Sequence, residues 1–240
     1  MEEVVAGIDI GGTNTTIGLV SKSGRVLAKD GIKTKQYPEI GDFVTAAASL
    51  ISKQLENIRR DIPELSLKGI GIGAPNANPH KGTIENAPNL SWHGIVPLAK
   101  LMAEKLYVRC ALTNDAKAAA LGEQKFGAAK GMKDFLVITL GTGLGSGIVA
   151  NGSLIYGHDG FAGELGHVIV VPGGRLCGCG RHGCLETYVS ATGLVRTYRE
   201  LNPNATEETD ARAIAELAQG GDEVAIETYR RTGEMLGFSL

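Results

Sequence analysis

Basic blocks, long apolar runs and cysteine are all scarce in this 240-residue chain. No cluster of Lys and Arg is longer than the pairs Arg59–Arg60 and Arg230–Arg231, and 24 basic against 26 acidic residues leave a net charge of -2. That balance speaks against nucleic acid and anionic membrane surfaces as partners. No apolar run approaches the ~20 residues of a membrane helix, and the opening MEEVVAGIDI carries acids where a signal peptide carries Lys or Arg. The sequence therefore predicts a soluble, cytoplasmic protein. Of four cysteines, three fall in the run CGCGRHGC, residues 177–184. Cytoplasmic thiols stay reduced, so this cluster points to a metal rather than to disulfides.

What is present is apolar material, 43% of a 25.1 kDa chain, enough to fill one large core or two ordinary ones. Residues 4–10 and 16–20 are β-like runs joined by GGTN, and the turn SKSG precedes RVLAKD, so three antiparallel strands are expected. From Asp42, Phe43, Ala47, Leu50, Ile51, Leu55 and Ile58 recur at helical spacing, with Lys53, Glu56 and Arg59 turned to water. A buried strand (68–75), a long polar loop, a helix around 95–106, a strand at 108–112 and a helix over 116–126 complete an α/β order.

A shift of 129 positions lays Gly12, Thr13, Gly18 and Val20 over Gly141, Thr142, Gly147 and Val149. Two lobes, each opened by a hairpin with a Gly-Thr turn, suggest a duplicated fold with a ligand cleft between the halves. Neither IDIGGTN nor LGTGLGSG contains a Walker sequence or opens a Rossmann helix. Glycine brings backbone N–H groups close to an anion, and Thr13 and Thr142 add hydroxyls, so such turns grip phosphate by amides alone. Tight hairpins without a ligand would look the same. Asp9 favours the phosphate reading, because a carboxylate beside a phosphate cradle requires a cation such as Mg²⁺ between them. In TNDAKAAALGE (113–123), Asn114 and Asp115 end a strand and start a helix, where a carboxylate is a good cap. A kinase also needs a base there to take the proton of an attacking hydroxyl.

DIGGTN (9–14), TNDAKAAALGE, LGTGLGSGI (140–148), GELGH (163–167) and CGCGRHGCLE (177–186) together resemble the ROK family of ATP-dependent sugar kinases and sugar-responsive repressors. The resemblance implies an α/β, actin-like (ribonuclease H-like) ATPase fold with two α/β lobes around a cleft. The lobes would span 1–115, with the first phosphate turn, and 116–240, with the second turn and a zinc loop. ATP would sit on Asp9, Gly11, Gly12, Thr13 and Asn14 and on Gly141, Thr142, Gly143 and Gly145. Asp115 would be the catalytic base toward the 6-hydroxyl of a hexose, glucose by default. N-acetylmannosamine, N-acetylglucosamine, mannose and fructose kinases share nearly the same residues.

His167, Cys177, Cys179 and Cys184 form a Cys₃His set suited to closed, structural, tetrahedral zinc, although C-x-C is tighter than the usual spacing and a reduced thiol cluster or redox switch has the same residues. The resemblance favours zinc. It also implies that His167 uses its other ring nitrogen toward the sugar, together with Asn89, Asn114, Asp115, Glu164 and Glu186. Cys110 reads as a core thiol. A homodimer is a further family expectation. Family members run on to a glycine-rich segment that closes on adenine, whereas this chain stops at GEMLGFSL. The expectation is a fragment or an incomplete nucleotide site, which keeps a non-catalytic sugar-binding module open. A repressor would need a DNA-binding segment ahead of the strand that starts by Val4.

Overall fold

A computed structural model describes residues 2–240. The chain begins with β1 (Glu3–Ile10), β2 (Asn14–Ser21) and β3 (Val26–Lys33), followed by α1 (Ile40–Arg59) and β4 (Ser66–Gly73). Short strands β5 (Ala77–Asn78), β6 (Thr83–Glu85) and β7 (Ile95–Val96) precede α2 (Leu98–Leu106), β8 (Arg109–Thr113) and α3 (Asp115–Phe126). Then come β9 (Phe135–Leu140), β10 (Leu144–Ala150), β11 (Ser153–Leu154), α4 (Glu186–Val189), α5 (Ala191–Leu201), α6 (Ala211–Gln219) and α7 (Glu223–Ser239). Two compact units result, Met1–Phe135 with Gly147–Ala162, and Leu136–Ser146 with Gly163–Leu240.

The first unit is built on a five-stranded sheet ordered β3-β2-β1-β4-β8. β1, β2 and β3 run antiparallel, whereas β4 and β8 run parallel to β1. Alternation drives this sheet: Val4, Ala6, Ile8 and Ile10 of β1, with Ile17 and Leu19 of β2, are buried. α1 buries Phe43, Ala47, Ile51 and Leu55 in the same core. Gln54, on that buried face, donates through Nε2 to the Ile17 carbonyl at 3.2 Å, which meets its donor side while its buried Oε1 has no partner. Trp92 lies 4.5 Å from the Phe43 ring centre and its indole N–H donates to Tyr37 O at 3.0 Å. Truncating Phe43 to alanine is worth roughly 3–5 kcal/mol of stability.

Several expected boundaries move. The expected long polar loop contains the small sheet β5-β6-β7 and buries Ala77, Ile84, Leu90 and Trp92. Its strands are too short for alternation to show. The helix expected at 95–106 starts at Leu98, because Ile95 and Val96 pair with β6 and Pro97 ends that pairing. The expected division at 115/116 is replaced by the two units above, since α3 packs on β4: a side chain on Gly73 would begin 3.3 Å from Ala118 Cβ.

The second unit has two apolar clusters, one of Leu194, Tyr198, Ile214 and Ala225, the other of Leu144, Leu185 and Val189. Its α5, α6 and α7 start on side-chain caps: Ser190 accepts from Gly193 N–H at 3.1 Å, Asp210 from Ala213 N–H at 2.8 Å, and Asp222 from Ala225 N–H at 2.7 Å. Each such cap is worth about 1 kcal/mol. Among the described residues, no helix is long and apolar enough to cross a membrane.

Candidate active site and metal cluster

In the first unit, Asp9 of β1 lies opposite Gly73 of β4, and Gly73 opposite Thr113 of β8. These are the carboxyl ends of three parallel strands, the edge where open α/β sheets bind ligands. Chain direction thus delivers Asp9, Asn114 and Asp115 to one edge. The Asp115 Cα lies 3.4 Å from where a side chain on Gly73 would begin. Asn114, not Asp115, caps α3: its Oδ1 accepts from the N–H groups of Ala116 at 2.9 Å and Lys117 at 3.4 Å. Asp115 accepts from Ala116 N–H through Oδ1 at 2.8 Å and is exposed. Partial burial, and then the Asp115 charge, raise the Asp9 carboxyl above its ordinary value.

The turn after β1 has three of its carbonyl oxygens engaged. Gly11 N–H donates to Asn14 O at 3.0 Å, Thr34 O–H to Gly11 O at 2.8 Å, and Thr34 N–H to Thr13 O at 3.0 Å. Gly12 admits no side chain, because a Cβ there would stand 2.7 Å from Asn89 O. Buried Leu90 and Trp92 hold the exposed Asn89 in that place. The first unit therefore brings Asp9, Gly11, Gly12, Thr13, Asn14, Asn89, Asn114 and Asp115 to one region.

The turn after β9 is engaged in a parallel way by its own unit. Gly141 N–H donates to Gly143 O at 3.0 Å, Ala191 N–H to Gly141 O at 2.9 Å, and Thr192 O–H to Thr142 O at 2.9 Å. The Leu144 N–H donates to Glu186 Oε2 at 2.9 Å, and a side chain on Gly143 would collide with that carboxylate. Gly145 follows in β10, and Glu164 precedes the short 3₁₀ turn Leu165–His167.

His167, Cys177, Cys179 and Cys184 place one ligand atom each within 4.8 Å of one another, a cluster that can hold a metal ion. Cys179 Sγ is 3.7 Å from Cys184 Sγ, and Cys177 Sγ is 3.7 Å from His167 Nδ1. Tetrahedral zinc, with bonds of about 2.3 Å to sulfur and about 2.0 Å to nitrogen, spans edges of roughly 3.5–3.8 Å. The donor set fits. Burial pushes the Cys177 thiol up to about 12. Burial also opposes ionisation of Cys179, but hydrogen bonds from the Arg181 backbone and side chain outweigh it and bring that thiol down to about 6. All four cysteines are free; Cys110, expected in the core, is only half-buried and packs against the core's margin, and burial raises its thiol to about 12.

Two positions escaped sequence reasoning. Lys117 is fully buried, and its ammonium donates to Gly160 O at 2.9 Å. Its place on the apolar Ala116–Ala120 face was the available signal. Arg175, inside the cluster loop, has a side chain only 9% exposed.

The chain matches the ROK family over residues 5–240 and belongs to it. Its fold is the mixed α/β, actin-like ATPase fold shared with structures of that family. It is 36% identical to a glucokinase of Streptomyces coelicolor over 250 residues, covering 98% of this chain and 75% of that protein. The structure of a ROK family glucokinase from Streptomyces griseus in complex with glucose and AMPPNP superposes with a TM-score of 0.76 at 33% identity, covering 98% of this chain and 77% of that one. A xylose repressor of Caldicellulosiruptor bescii is 32% identical over 207 residues, 85% of this chain and 51% of the repressor.

Proposed function

We propose that this protein transfers the γ-phosphoryl group of ATP to the 6-hydroxyl of a hexose, glucose first among candidates. The observation that carries the reading is the gathering of Asp9 and Asp115 at the carboxyl edge of β1, β4 and β8, beside a turn whose carbonyls are already engaged. The glucokinases among its relatives support the same chemistry.

Asp115 orients the 6-hydroxyl through the oxygen not held by Ala116 and accepts its proton as the new P–O bond forms. A carboxylate is a weak base toward an alcohol, so the transfer is late and orientation is its main effect. With the carbonyls of both turns occupied, amide N–H groups near Gly12 and at Thr142 and Gly143 are what the turns offer to phosphate oxygens. Asn14, Thr13 and Gly145 complete the nucleotide set. Asp9 would hold Mg²⁺, which supplies charge neutralisation to the phosphates. Asn89, Asn114, Glu164, His167 and Glu186 would bind the sugar hydroxyls, whose mixed donors and acceptors suit carboxylates and amides. Zinc on His167, Cys177, Cys179 and Cys184 would be structural, fixing His167 through Nδ1 and leaving Nε2 for a hydrogen bond. Such a kinase acts in the cytoplasm on small molecules, as a homodimer by family precedent.

A coupled assay of ADP release, run with glucose, mannose, fructose, N-acetylglucosamine and N-acetylmannosamine, tests the reading. Release with glucose is expected. No release with any sugar, together with measurable sugar binding, would replace the kinase by a non-catalytic sugar-binding module.

A further inference from the structure

The loop between His167 and Cys177 carries a side chain that does not face the metal cluster. Arg175 Nη1 donates to Thr187 O at 2.7 Å and to Gly193 O at 3.2 Å. Its Nη2 donates to Thr197 Oγ1 at 2.9 Å and to Glu200 at 2.5 Å. The guanidinium carbon lies 4.6 Å from the centre of the Tyr188 ring, and the Tyr188 hydroxyl accepts from Arg175 N–H at 3.0 Å. Burying a guanidinium costs several kcal/mol unless its donors are met, and Glu200, 53% exposed, is a weak counter-charge. The backbone carbonyls are therefore central to the contact. Both lie at the corner where α4 gives way to α5.

That corner carries two loads. α4 begins with Glu186, whose carboxylate holds the Leu144 N–H. α5 begins with Ala191 and Thr192, which hold the carbonyls of Gly141 and Thr142. We propose that Arg175 is a positioning residue: by fixing the α4–α5 corner it sets the Glu186 carboxylate and the second glycine turn together, without touching sugar or nucleotide. The planar fork is required, because an ammonium is a point donor that cannot span the Thr187 and Gly193 carbonyls and the Thr197 hydroxyl in one plane. The metal cluster holds the two arms of the loop to each other, while Arg175 holds the loop to the helices. The consequence for sugar affinity rests on the proposed role of Glu186, but the consequence for the turn does not.

Amide exchange followed residue by residue in the full chain, with metal content measured in parallel, separates the two. In Arg175→Ala and Arg175→Lys, the Leu144 and Ala191 amides should exchange about tenfold faster, the low end for a lost hydrogen bond to a charged group. Metal content should stay at the wild-type value. Glu186→Gln should accelerate Leu144 but not Ala191. In a double-mutant cycle of Arg175→Ala with Glu186→Gln, the losses in glucose affinity should sum to less than additive.

Unchanged exchange at Leu144 and Ala191 would overturn the proposal, as would full protection in the lysine variant or metal loss accompanying the change. Additive losses would remove Glu186 as the route to the sugar. Glu200→Gln, which leaves the backbone contacts intact, should have little effect and keeps the test decidable if the alanine variant does not fold. If the wild type binds no glucose, the hexose reading fails while the exchange data still decide the role of Arg175.

Discussion

The turn after β1 and the turn after β9 each have three carbonyl oxygens engaged, yet by different kinds of partner. Thr34, buried in the short 3₁₀ turn that follows β3, holds the first. The start of α5 holds the second, and the Glu186 carboxylate closes its exit at Leu144. One brace is neutral and belongs to a large apolar core. The other is partly ionic and rests on helices contacted by the loop that carries the Cys₃His cluster and Arg175. A repeated hairpin can thus keep its donor pattern while its support is rebuilt from different parts.

Four perturbations would break or sharpen that contrast. The largest effect is expected from Asp115→Asn, which should lower turnover by roughly 10²–10⁴-fold while leaving both turns intact and glucose binding measurable. Steady-state kinetics beside calorimetric glucose titration checks it, and wild-type turnover would remove Asp115 from the chemistry. Next comes loss of the metal proposed at the Cys₃His cluster, by chelation or by Cys184→Ser. Protection at Leu144 and Ala191 should disappear while the Thr34 amide stays protected, because only the second brace depends on the cluster. Equal loss in both units would show a shared brace.

A third test is a methyl group at each turn. Gly12→Ala pushes against a backbone carbonyl and should destabilise by about 1–3 kcal/mol. Gly143→Ala meets the end of a side chain that can swing, so its urea midpoint should fall less. The reverse order would contradict the contrast. The smallest effect concerns Asp9, whose folded-state pKa is raised by burial and by Asp115. A raised carboxyl pKa means that the charged form works against folding above that pKa and that this penalty disappears as pH falls through it. Asp9→Asn should therefore be more stable than the parent at pH 7 without Mg²⁺, with the advantage closing toward pH 3. A constant gap would exclude charge as the cause.

Much of this was legible in the sequence. Alternation revealed β1 and β2, three- and four-residue spacing revealed α1, and the Gly-Thr repeat marked both turns. The Cys₃His set converges as its residue types suggested. Less legible was what short range cannot encode. β5, β6 and β7 are too short to alternate, and Gln54 and Lys117 sit among apolar neighbours because distant carbonyls receive them. Asn114 and Asp115 both suit a helix start, and only the hydrogen bonds show Asn114 doing the capping. Nothing near Arg175 in the chain marks its role, because its acceptors lie 12 to 25 positions away.

Lys117 has a practical consequence. With its ammonium sealed against Gly160 O, it should resist amine-selective acylating reagents that modify exposed lysines readily. Its labelling rate, followed by peptide mass spectrometry, becomes a clock for the opening of the first unit, readable in a crude mixture without any attached dye.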